Sequence, residues 1–210
     1  MTFYEMGLCT EDPMATGALD LSSCTASFKD TGGIYKDIAG TSVALGSGSG
    51  GVRPPNGKYQ FAYAILSNTF TLKGNYALGA TNYYSSSNYS SGSSNVTQGA
   101  TTLAQEFEDN LTSFGGSGCT TKGSETFSNG TMTAYVLTSD LEVASGCTSV
   151  ERLIGYMSLN SPVTITSDTE ALKITFKVTN SGLSVEPAND GLSVFALASG
   201  AFSASFEVIE

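Results

Sequence analysis

Along residues 58–66, Tyr59, Phe61, Tyr63 and Ile65 alternate with Gln60, Ala62 and Ala64. That period of two predicts a strand with one face buried. Residues 69–73 read as its partner across the short Ser67-Asn68 connection, a hairpin. The same pattern predicts strands at 152–159, 163–166, 172–179, 192–197 and 202–209. In the third of these, Leu172, Ile174, Phe176 and Val178 alternate with Lys173, Thr175 and Lys177; in the last, Phe202, Ala204, Phe206 and Val208 alternate with Ser203, Ser205 and Glu207. Asn129-Gly130 separates 124–128 from 131–138 and predicts a hairpin, because both central positions of a type I′ turn need positive φ. The Gly/Ser run at 46–51 and Arg53-Pro-Pro-Asn-Gly57 predict loop and turn, since adjacent prolines cannot sit in a central strand. One segment departs from period two. Leu103, Phe107, Leu111 and Phe114 fall at helical spacing, Thr102 and Gln105 come close to a capping box, and Gly115-Gly116 ends the run, which predicts a short helix over 103–114.

Many short strands separated by frequent turn signals predict a mainly β chain, an antiparallel β-sandwich or jelly roll with one short helix. Its expected core includes Phe61, Tyr63, Val136, Ile174, Phe176 and Phe206. No fixed-period repeat interrupts 1–210, so a propeller or solenoid is not expected. The chain reads as a single β-rich domain, within which a looser, glycine-rich 1–100 can be distinguished from a cleaner β module at 101–210. Residues 80–100 are dominated by Ser, Asn, Tyr and Gly, with Tyr83, Tyr84 and Tyr89 as the only large side chains. So polar a tract predicts a long surface loop, a solvated hairpin or an arm. Ordering it costs about 1–2 kcal/mol per residue, which implies contacts from other subunits. Tyr83, Tyr84 and Tyr89 are the expected assembly contacts, because aromatic rings anchor interfaces.

Composition narrows the chemistry. The 210 residues include no histidine and no tryptophan, which removes the commonest proton shuttle and metal ligand. A serine nucleophile would need a lysine base, and no Ser-x-x-Lys occurs. The 46–51 run lacks the Gly-Lys-Ser/Thr ending of a phosphate-binding loop. Glu106, Glu108 and Asp109 read as the solvated face of the expected helix, and Glu11-Asp12 precedes Pro13 in a turn, so no carboxylate pair is assigned to glycoside chemistry. Calcium suits the oxygen-rich residue set, with Asn189-Asp190-Gly191 and Ser167-Asp168-Thr169-Glu170 as candidates, yet both read as turns. The expectation is a protein that is not an enzyme, with no catalytic residue, no cofactor and no metal. Sequons at Asn88, Asn95, Asn110 and Asn129 matter only in a glycosylating secretory pathway.

A formal net charge of −10 repels phosphate backbones and anionic lipid, so nucleic acid is not an expected partner. No stretch approaches the ~18 apolar residues of a membrane span, and membrane insertion is not expected. The N-terminus lacks a basic segment followed by an apolar run, which leaves either a removed leader or assembly in the cytoplasm. Cys9, Cys24, Cys119 and Cys147 are compatible with two disulfides or with four free thiols. In an oxidising setting Cys9 would pair with Cys24 and Cys119 with Cys147, because loop tips close in sequence meet most easily.

Tyr4-Glu-Met-Gly-Leu-Cys-Thr10 and Arg53-Pro-Pro-Asn-Gly-Lys-Tyr-Gln-Phe-Ala-Tyr63 resemble structural proteins of marine bacterial viruses. The resemblance implies a virion component and transfers no functional residue. The expected function is a non-enzymatic structural subunit of a viral particle, in a capsid, decoration or fibre role, located in the virion and associating with itself and with other structural subunits. Tyrosine-rich surfaces suit such contacts. The alternative is a secreted surface filament, surface-layer or adhesin subunit, extracellular or at the cell surface. A second alternative is a carbohydrate-binding β-sandwich making host-surface or glycan contact.

Overall fold

The structure is a computed structural model that describes residues 1–38, 40, 42–87, 94–99, 103–115, 118–177, 182–200 and 203–210. Its strands, in chain order, are β1 (Thr2–Cys9), β2 (Cys24–Tyr35), β3 (Gly57–Ser67), β4 (Thr69–Leu72), β5 (Asn75–Leu78), β6 (Thr81–Ser85), β7 (Val96–Gln98) and β8 (Phe107–Asn110). They continue as β9 (Lys122–Phe127), β10 (Gly130–Leu137), β11 (Arg152–Ile165), β12 (Ala171–Lys177), β13 (Leu183–Pro187), β14 (Val194–Ser199) and β15 (Ser203–Ile209). Among the described residues the one helical element is a 3-10 turn at Ser145–Cys147. The chain is thus mainly β, built from antiparallel sheets, and it forms two compact units. Met1–Asn68, Thr112–Phe176 and Ser203–Glu210 make the first, Thr69–Leu111 and Lys177–Phe202 the second.

The first unit is organised by a six-stranded antiparallel sheet in the order β2-β1-β3-β11-β10-β9. One face carries Leu8, Ala62, Met157 and Ile165, against which Leu172 of β12 and Phe206 and Val208 of β15 pack. The β12–β15 pair is therefore a second, much narrower layer. On the other face Cys9, Tyr63, Ile65, Ile154 and Tyr156 are covered by Met14, Leu19, Leu21, Leu141 and Val143, from the β1–β2 and β10–β11 connections. With both faces covered, β1 is buried continuously from Glu5 to Cys9, the behaviour of a strand with no solvent side.

Tyr63 and Val136 of the expected core are buried, whereas Phe61, Ile174, Phe176 and Phe206 are half-buried. Tyr59 does not share a face with Phe61, Tyr63 and Ile65; it joins Ala62 on the opposite side. The cause is a register break in β11, where Ser158 faces Phe61 and Val163 is the next residue paired, with Tyr59. A bulge of this kind re-aims the strand beside it. The same break fuses the expected strands at 152–159 and 163–166 into one.

Three further expectations are corrected. The 124–138 hairpin forms, but Phe127 pairs with Gly130, so Ser128-Asn129 are its turn residues and neither has positive φ. Gly130 closes the turn at φ 155°, where a Cβ would collide with the Ser158 carbonyl oxygen. Residues 69–72 do not return along β3; they pair with Phe107–Asn110 in the second unit, while β3 lies between β1 and β11. The helix expected over 103–114 is absent, and 107–110 is strand β8. Leu103 is 84% exposed while Phe107 is buried, so the apolar positions do not form one stripe. A lone polar helix of this length is marginal, and pairing with β4 buries Phe107 and Asp109 instead. Thr102, Gly116, Val178 and Phe202 lie outside the described residues.

The second unit consists of three small sheets, β4-β8, β5-β6-β7 and β13-β14, around Tyr83, Phe107, Val194 and Leu197. Sheets of two or three strands leave many backbone groups without a ladder partner, and buried ones must find another. Polar side chains supply it. The buried Asn95 amide donates to the Leu197 carbonyl at 2.7 Å and accepts from its N–H at 2.8 Å. Asp109 Oδ2 accepts from the Ser199 N–H at 2.6 Å. Ser85 Oγ accepts from Gly74 N–H at 3.1 Å and donates to the Gln105 carbonyl at 2.7 Å. The tract at 80–100 thus does contribute a core, in part through hydrogen-bonding side chains.

Candidate functional site

Of the residues singled out as sites in the sequence, Tyr89 and the sequon Asn88 lie outside the described residues. Cys9 is bonded to Cys24, directly opposite it in the β1–β2 ladder. Cys119, ahead of β9, is bonded to Cys147 in the 3-10 turn, and no cysteine is free. Tyr83 is 5% exposed in the second unit's core and its hydroxyl accepts from Gln98, so its ring is not on offer to another subunit. Tyr84 is half-buried, between Asn75 and Thr97 across its ladders.

Part of the candidate chemistry is taken up by structural hydrogen bonds. Asp109 is committed to Ser199 N–H, with Glu108 exposed beside it. Asp190 accepts from the Leu192 and Ser193 N–H groups and from Ser193 Oγ; those bonds, the Leu192 one foremost, hold its carboxyl below the usual range, the signature of a turn. Thr166 N–H donates to Thr169 Oγ1 and Ser167 Oγ to Asp168 Oδ1, a second closed turn. Among the described residues no group of three or more carboxylates or cysteines could hold a metal ion. Of the described sequons, Asn95 and Asn129 have their amides donated to the Leu197 and Ala204 carbonyls, while Asn110 is exposed at the end of β8.

An electrostatic cluster lies inside the first unit. Glu5, 7% exposed, accepts from the Tyr63 hydroxyl at 2.6 Å and pairs with Lys29 at 2.7 Å. Burial, reinforced by Glu5, pushes the Tyr63 hydroxyl far above the ordinary tyrosine range. Burial, with Asp12 nearby, raises Tyr156 to about 12. Both hydroxyls hold their protons more tightly folded than unfolded. Their contribution is therefore complete below the unfolded tyrosine pKa of about 10 and is lost as pH rises through the folded values. Urea midpoints measured from pH 8 to pH 12 should fall above pH 10. Tyr63→Phe should cost about 1–3 kcal/mol at neutral pH, because Glu5 loses a buried partner, and should flatten the alkaline decline. Parallel alkaline slopes for the two proteins would refute the assignment.

A concavity also belongs to the first unit. A cavity of about 830 Å³ is lined by Phe3, Met6 and Phe28. Residues 42–47 and 169–176 also line it. Side chains of a strand point alternately to opposite faces, so consecutive residues can line one cavity only if it runs along the strand's edge. The partner of β12 in its sheet is β15, which occupies the other edge. The cavity is thus a slot along the edge of β12 that faces away from β15. Exposed Val43 and Val52 in its lining place its mouth toward solvent.

No family model, curated protein or solved structure matches the chain. The slot therefore has to be understood from its own construction.

Arg53 fixes one end of it. Its guanidinium donates to the Thr166 and Thr169 carbonyls and to Asn56 Oδ1, tying the Pro-Pro turn to the start of β12. Tyr59 adds a hydroxyl bond to the Pro55 carbonyl at 2.8 Å. The outer edge of β2 is treated differently. Ser49 and Gly50 N–H donate to the Lys29 carbonyl, Val52 N–H to Ala26, and Lys29 N–H to Ser47, so the Gly/Ser loop covers that edge. Covering or charging edges is how β proteins avoid unwanted pairing. The alternation in 172–177 was legible in the sequence; that one edge of this strand would be left beside a slot was not, because edge pairing is set by remote segments.

Proposed function

We propose that this chain is a non-enzymatic structural subunit of a particle, a virion component in a capsid, decoration or fibre role. The observation that carries the reading is the pair of disulfides, Cys9–Cys24 and Cys119–Cys147, with no free thiol. Such bonds persist on secreted proteins and on virion or cell surfaces and are rare in the reducing cytosol. They cross-link loop and ladder positions in a unit whose buried Glu5 is held by Tyr63 and Lys29, which suits a surface that must last more than one that must react. The resemblance of 4–10 and 53–63 to viral structural proteins supports the same reading. The disulfides also favour a second reading, a subunit of a secreted surface filament or layer, since export is the usual route to such bonds.

Light scattering and negative-stain imaging of the non-reduced protein across a concentration series should show regular closed particles or filaments. A monomer at every concentration and salt condition would overturn both readings, and symmetry would separate them: a closed shell or capped fibre for the virion, an open helical filament or sheet for the surface structure.

A further inference from the structure

We propose that Cys119–Cys147 is a thiol–disulfide exchange site: a small dithiol reduces it ahead of Cys9–Cys24, releasing residues 145–149 from a strained backbone while the sheet stays folded. The inference stands independently of the subunit reading. It rests on the conformation of this segment and on what holds it there.

Among the described residues, the non-glycine positions with positive φ are Leu141 at 65°, Cys147 at 54° and Ser149 at 57°. All three lie in the connection from β10 to β11, together with Gly146 at 70°. In the left-handed region an L residue sets its Cβ against the following carbonyl oxygen, so Cys147 and Ser149 stay there only if their surroundings hold them. Hydrogen bonds do not. The connection is tied on either side of the segment: Ala144 N–H donates to the Val136 carbonyl and Glu151 N–H to the Leu137 carbonyl, both at 3.0 Å, and the Asn68 amide donates to the Val150 carbonyl at 3.1 Å. Between those ties, the hydrogen bonds of 145–149 among the described residues stay within their own turn, with Thr148 Oγ1 donating to the Ser145 carbonyl. Ser145, Gly146, Thr148 and Ser149 are exposed, so packing holds them little better. The bond from Cys147 to Cys119 is what fastens the segment to another part of the unit.

The two disulfides differ in access. Cys119 is exposed and Cys147 half-buried, whereas Cys9 is fully buried and Cys24 packs beside it with Met14, Leu19 and Leu21. Exposure and strain both mark the more labile bond of a pair. In the exchange, a thiolate of the dithiol bonds to Cys119 Sγ. The Cys119–Cys147 bond breaks with its electron pair on Cys147 Sγ, which takes a proton. The second thiol of the reductant then closes on the first and displaces Cys119 as a thiolate, which is protonated in turn. Two electrons and two protons pass to the protein, and the reductant leaves as a cyclic disulfide.

Graded reduction in mixtures of reduced and oxidised dithiothreitol, trapped by alkylation and mapped by mass spectrometry, tests the site. Cys119–Cys147 should open at a dithiol ratio about tenfold or more below that for Cys9–Cys24. In the singly reduced protein, backbone 15N order parameters of 145–149 should fall below about 0.6, while those of 63–66 and 153–157 stay near the ~0.85 of rigid backbone. Ser149→Gly relieves the left-handed backbone of the bonded form, so it should raise the ratio for half-reduction about threefold or more relative to Ser145→Gly. Comparing the two variants cancels the freedom that glycine adds to the released segment. Both bonds opening together, or Cys9–Cys24 opening first, would overturn the exchange site. Unchanged order at 145–149 after reduction would show that the bond does not hold the segment, and loss of order at 153–157 as well would replace local release by unfolding of the unit. Equal half-reduction of the two glycine variants would remove strain as the cause.

Discussion

Reducing and alkylating both disulfides should lower the unfolding free energy of the first unit by about 6.5 kcal/mol. Chain-entropy estimates give about 3 kcal/mol for the Cys9–Cys24 separation of 15 and about 3.5 kcal/mol for the Cys119–Cys147 separation of 28. Against a typical domain stability of about 5–15 kcal/mol, that loss removes a large fraction of what holds the unit folded. All four cysteines lie in the first unit, so the second should keep its own transition. Removing Cys119–Cys147 alone should have the larger effect, because it closes the longer loop. Since the chain lacks tryptophan, unfolding in urea is best followed by far-UV circular dichroism and tyrosine fluorescence. A combined loss below about 1 kcal/mol would show that the ladder and the covering loops hold these positions without the bonds.

Asn95→Leu should destabilise the second unit by about 2–6 kcal/mol, a large effect for a residue in a tract of serines and asparagines. The amide satisfies both backbone groups of Leu197, and Leu197 is itself fully buried. Leucine would leave a buried N–H and a buried carbonyl without partners, at about 1–3 kcal/mol each. Asn95→Asp keeps the acceptor for Leu197 N–H but sets a carboxylate oxygen against the Leu197 carbonyl, so it should not rescue. Hydrogen exchange of 183–199 reports the loss locally, and the first unit serves as the internal control. Unchanged protection across 194–199 would mean that the amide contributes nothing to β14.

The difference between these two cases explains how much could be read in advance. The pairing of Cys9 with Cys24 was accessible because short loops bring their ends together whatever the rest of the chain does. The buried Asn95 was not, because an asparagine among serines carries no mark of the backbone group it will meet 102 residues away. Tyr83 was misplaced for the same reason. A tyrosine flanked by polar residues looks exposed until Phe107, Val194 and Leu197 are brought against it. The helix over 103–114 failed differently. Its spacing was genuine, but the buried contacts of Phe107 and Asp109 outweigh local preference, which amounts to tenths of a kcal/mol per residue. No element of the slot stood out in the sequence either, since its lining includes 42–47 and 169–176, two segments with no pattern in common.

By itself the sequence determined the mainly β character of the chain, the positions of most strands after residue 56, the turn-rich loop at 46–57 and the half-buried alternation of β12 and β15. All are local properties, written in periods of two and in the backbone limits of glycine and proline. The tertiary structure alone decided which strands are neighbours, that β3 lies between β1 and β11, that residues 69–111 and 177–202 form a unit of their own, and that β12 keeps one edge beside an apolar slot. The physical reason is that strand pairing joins residues far apart in sequence through backbone groups common to every residue, so the hydrogen-bonding edge of a strand has no code in its side chains.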